Sequence, residues 1–79
     1  MGQSASAIEG LRAALRTAEA IGNAYLETEA RIGLARAYLL AGQRLEAGGQ
    51  ARQALAIATQ GGYQLLAAQA RDAELSAGS

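Results

Sequence analysis

Apolar positions recur along this chain at three- and four-residue intervals, the spacing that lines one face of an α-helix. Ile8, Leu11, Leu15 and Ala18 make one stripe, and Leu26, Ala30, Leu34, Ala37 or Tyr38, and Ala41 a second. Ala47, Ala51, Ala54, Leu55 and Ala58 make a third, Leu66, Ala70 and Ala73 a fourth. The pattern predicts an all-α chain of about four helices, over residues 5–20, 24–41, 44–60 and 63–75. Gly22-Asn23, Gly42 and Gly61-Gly62 separate them, because these residue types tolerate the left-handed conformation that closes a helix. Ser4 or Ser6 is the expected N-cap of the first helix. Connections of two or three residues make successive helices antiparallel neighbours.

The pattern itself repeats. Shifting the chain by forty positions gives identical pairs at Gly2/Gly42, Gln3/Gln43, Ala7/Ala47, Arg12/Arg52, Ala14/Ala54, Leu15/Leu55, Ala18/Ala58, Gly22/Gly62, Leu26/Leu66, Ala30/Ala70, Arg31/Arg71 and Ala37/Ala77. So Ala-rich a composition would produce roughly four or five such pairs by chance, and a fixed period of this size points to stacked helical hairpins. A closed four-helix bundle is the competing arrangement, but it gives no reason for turns and small residues to recur in register.

Composition narrows the chemistry. Seventy-nine residues make one domain, residues 1–79, near the size at which a core alone contributes little net stability. There is no cysteine and no histidine, and all seven cations are arginine. Thiolate and imidazole metal sites, a histidine base and a lysine nucleophile are therefore excluded. Glu27 and Glu29, or Asp72 and Glu74, stand two apart and point to different helix faces, which does not make a catalytic carboxylate pair. No enzyme and no cofactor are expected. Seven acids balance the seven arginines with the signs interspersed, so no basic stripe draws in nucleic acid or an anionic membrane. No apolar run is long enough to cross a bilayer, and the start has no basic region or signal core, so a cytoplasmic protein is the expectation.

The segment from Arg31 to Leu55 resembles the tetratricopeptide repeat. The family's first helix carries a large residue, then Leu-Gly, then Tyr, at spacings matched by Arg31, Leu34-Ala35 and Tyr38. Gly42 takes the turn, Glu46-Ala47 opens the second helix, and Ala51, Ala54 and Leu55 continue it. Arg31 replaces a common Trp, Ala35 a Gly, Ala51 an aromatic, and Gly61-Gly62 the usual Pro. The forty-residue spacing is similar to that of lengthened repeats in bacterial signal-responsive regulators. The resemblance implies a short solenoid, with the helices in the order second, first, second, first.

It also implies a function. Such proteins bind a peptide or helix along their first helices, which places candidate partner contacts at Glu29, Ile32, Arg36, Leu39 and Leu40. Arg36 is suited to fork onto a carboxylate. The paired leucines Leu39-Leu40 and Leu65-Leu66 cannot both face one stripe, so one of each pair turns to another surface. Gly48-Gly49 inside the third helix suggests close helix contact. The expectation is a protein–protein interaction module that self-associates or belongs to a longer array. The alternative is a minimal or engineered repeat fragment whose only property is folding and assembly.

Overall fold

In a computed structural model, which describes residues 2–78, the chain forms four helices: α1 (Gly2–Ile21), α2 (Ala24–Leu40), α3 (Arg44–Gly61) and α4 (Gln64–Gly78). Met1 and Ser79, the ends of the expected domain, lie outside the described residues. The all-α expectation holds, and each helix boundary falls within about three residues of its predicted place. One expectation fails. Helix α1 already includes Ser4 and Ser6, so neither serine caps it. Nothing between Gly2 and Ala5 opposes helix, and the periodic apolar residues that suggested a later start mark only where packing begins.

All three connections are the same turn. Gly22, Gly42 and Gly62 each have a left-handed φ, of 69°, 77° and 74°. The residue after each glycine donates its N–H to a carbonyl five residues back: Asn23 to Ala18, Gln43 to Tyr38, and Tyr63 to Ala58. Each glycine itself donates to the carbonyl three back. This ties off the last carbonyls of the preceding helix at no steric cost, because glycine has no Cβ to clash at positive φ. Asn23 also begins α2, its side-chain oxygen accepting from the Leu26 N–H at 3.0 Å.

The helices meet in an open order. Helices α2 and α4 pack side by side, α3 lies across both, and α1 lies against α2 alone. Among the described residues no Cα of α1 comes within 8 Å of α3 or α4. The result is a slab of 35 × 28 × 16 Å. Along α3, the fully buried positions toward α2 and α4 are mostly alanine: Ala47, Ala51, Ala54 and Ala58 all have no exposed surface. Small side chains let the neighbouring backbones come close, so shape rather than bulk fills this seam. Ile32, Ala54, Ala58, Leu66 and Ala70 form one core cluster, Leu34, Tyr38 and Ala47 a second, and Ala35, Ala51 and Ala73 a third.

Gly48 is buried, with space for a Cβ only at contact distance from Arg52 and Ala77, whereas a Cβ on Gly49 would meet nothing within 4 Å. Contacts of 3.4 and 3.7 Å are ordinary van der Waals distances, so close packing requires glycine at neither Gly48 nor Gly49. Gly49→Ala is expected to add about 1 kcal/mol through helix propensity and to raise the melting temperature by about 5 °C. Thermal unfolding followed by circular dichroism checks it; an unchanged or lower midpoint counts against it.

Candidate partner-binding surfaces

The five residues expected to contact a partner do not share one surface. Ile32 is 2% exposed and belongs to the α2–α3–α4 core, so it is withdrawn as a contact residue. The physical reason is the α2–α4 packing, which covers the face where Ile32 sits. Leu39 is half-buried against the Leu34–Tyr38–Ala47 cluster, while Leu40 is 84% exposed. Leu65 and Leu66 divide the same way, at 71% and 6%. Glu29 and Arg36 are exposed, as expected.

Three clefts lie on the surface of the slab. Leu40 borders the first, of about 710 Å³, where Ile8 and Arg12 of α1 face Gln43 and Glu46 at the start of α3. Another cleft, of about 600 Å³, lies between the start of α3 and the end of α4 and holds Leu45, Arg52, Glu74 and Leu75. The two correspond through the repeat, with Arg12 in one and its identical partner Arg52 in the other. Glu29 borders the third, a groove of about 420 Å³ between α1 and α2 whose other walls are apolar apart from Thr17. Arg36 lines none of the three.

The most connected polar side chain is Arg31, which sequence reasoning placed only as the stand-in for a large residue. Its side chain is 12% exposed. Nε donates to Glu27 Oε2 at 3.1 Å, Nη2 lies 3.0 Å from the same oxygen as an ion pair, and Nη2 donates to Glu19 Oε2 at 3.4 Å. Nη1 donates to the side-chain oxygens of Gln50, at 2.9 Å, and Gln53. One guanidinium thus binds α1, α2 and α3 together, using a planar fork that lysine lacks. Its repeat counterpart Arg71 is exposed at the end where no further helix lies across α4.

No family model matches this chain, and neither does any curated protein or solved structure. The surface chemistry therefore has to speak for itself. Among the described residues no group of three or more acidic, histidine or cysteine side chains is placed to hold a metal ion. Among the same residues no helix is long and apolar enough to cross a membrane. What the surface offers is apolar: Ile21, Leu40, Leu45, Leu65 and Leu75 are all more than 60% exposed. Aromatic surface is sparse. Tyr38 is buried, and Tyr25 and Tyr63 meet edge to face across the α2–α4 junction, with ring centres 5.1 Å apart. The Tyr63 ring also covers Gly61, where a Cβ would come within 2.7 Å of it.

Proposed function

We propose that the chain is a non-catalytic interaction module of tetratricopeptide type, a short stacked array of helical hairpins that binds another protein, a peptide or a copy of itself. The carrying observation is the order of contacts. Two alternate helices, α2 and α4, touch directly, and α1 stays clear of α3 and α4. A stack with one forty-residue step has that order, whereas a closed bundle would bring α1 against α4. The three identical turns support the same reading, because a constant junction keeps each hairpin at a constant angle to the next. The exposed leucines, on several edges of the slab, give such a module apolar surface to cover.

Shape-complementary burial of Leu40, Leu45, Leu65 and Leu75, with Arg and Glu at the rim, would supply the binding. A minimal repeat fragment that only assembles is the second reading, favoured by the same leucines occurring on several edges of the slab. Selection from a displayed library of amphipathic helices against the immobilised chain tests the module. Enriched sequences are expected to lose at least tenfold in affinity when Leu40→Ser or Arg36→Glu, or a change in the α1–α2 groove, is introduced with helicity intact. A library that enriches nothing sinks the reading.

A further inference from the structure

The surroundings of Ile32 occur twice in this chain. In the core, Ile32 of α2 clusters with Ala54 and Ala58 of α3 and with Leu66 and Ala70 of α4. Each of those four residues has an identical counterpart forty positions earlier: Ala14, Ala18, Leu26 and Ala30. All four counterparts line the groove between α1 and α2. The floor of that groove is closed, with Ala18 and Ala30 buried, but its walls are not. Leu26 is 44% exposed where Leu66 is 6%, and Ala14 is exposed where Ala54 is fully buried. One groove is filled by α2; its copy faces solvent.

Two features narrow what the open copy accepts. In the filled groove Ala35 packs with Ala51 and Ala73, whose counterparts in the open one are Leu11 and Gly33. Leu11 folds over Gly33, its Cδ2 only 2.9 Å from where a Cβ would stand. A helix seated here must therefore carry a small residue three positions after its aliphatic one. Helix α4 of a second copy does not meet the requirement. At the counterparts of Ile32 and Ala35 it carries Asp72 and Leu75. The first would put a carboxylate, stripped of water, against four apolar side chains, and the second is too large for the spot that Leu11 occupies.

We infer that the α1–α2 groove is a docking socket for one amphipathic helix of a partner protein. The partner helix sits as α2 sits on α3 and α4, with a branched aliphatic side chain among Ala14, Ala18, Leu26 and Ala30 and an Ala or Gly three residues on. The inference rests on the interaction-module reading and names which of its surfaces is used, and by what chemistry.

The chain contains its own probe. A capped synthetic peptide of residues 24–41 presents the face that already fills the equivalent groove, and calorimetric titration into the intact 79-residue chain reads its binding. Saturable one-to-one binding is expected. It should weaken at least tenfold with the peptide change Ile32→Asp, and equally with Ala14→Glu in the protein. Ala14 is exposed, so circular dichroism of that variant should match the parent. Absence of saturable binding to a fully helical chain overturns the socket, as does binding that Ala14→Glu leaves unchanged, which would signal exchange with the chain's own α2. Self-association without peptide that Ala14→Glu abolishes also overturns it, because a second copy is then the occupant. Ligands from the helix library that map to Leu40 or Arg36 alone would remove the socket and leave the module standing.

Discussion

Replacing Ala51 with phenylalanine is expected to remove much of the chain's stability, although an aromatic residue is what the resembling family carries at this place. Ala51 has no exposed surface and packs with Ala35 and Ala73, both alanines, across the junction of α2, α3 and α4. In a seam built from methyl groups there is no flexible side chain to move aside, so an added ring must push helices apart. Overpacking typically costs about 1–3 kcal/mol, and a whole added ring stands at the upper end of that range. A chain of this size has only about 5 kcal/mol of net stability. The urea midpoint should fall to about half that of the parent, whereas Ala56→Leu, at an exposed position of the same helix, should change stability by no more than about 0.5 kcal/mol. An Ala51→Phe chain with the parent's urea midpoint would mean that the seam can open, and with it the close approach of the three helices.

Removing the Arg31 side chain is the second large effect. Arg31→Ala deletes every bond by which one guanidinium joins Glu19, Glu27, Gln50 and Gln53, and it leaves a cavity where the alkyl stem lay. Hydrogen bonds to a charged group contribute about 1.5–3 kcal/mol each when buried, but Glu19 is half exposed and recovers water on release. A loss of about 2–3 kcal/mol in urea unfolding is the expected outcome. Arg31→Lys keeps the charge and gives up the planar fork, so it should recover only part of the loss. Equal stability of the Lys variant and the parent would show that charge alone, and not the three-helix geometry, is what matters at this position.

The helices and turns were legible because each rests on local chemistry. Glycine at 22, 42 and 62 marks the left-handed residue whatever surrounds it, and the i, i+3, i+4 stripes survive any arrangement of neighbours. The division of Leu39 from Leu40 and of Leu65 from Leu66 followed from helical geometry alone. Ile32 was not legible as a core residue, because α2 is covered on three sides by α1, α3 and α4 and its apolar surface is too wide to point in one direction. Arg31 was hidden for the opposite reason. Its partners lie 12, 4, 19 and 22 positions away, and only the packed structure brings glutamines of α3 to a guanidinium on α2. The signal that did exist for the groove was the set of identical pairs: Ala14, Ala18, Leu26 and Ala30 repeat the four buried neighbours of Ile32, while Asn23 and Glu27 stand where Tyr63 and Ala67 complete its shell.

The three identical turns carry a consequence for how such a chain can grow. Because Gly22, Gly42 and Gly62 close their helices with the same pair of backbone bonds, a forty-residue cassette cut just after any of them presents the same two ends. Tandem duplication of that cassette would therefore make no new junction, and the added hairpin would continue the existing angle without a compensating mutation in the turn. Lengthening the chain in this way asks little of the side chains either: a copy of residues 23–62 brings its own Arg31, Ile32, Gln50 and Gln53, and α4 keeps its place after the last turn.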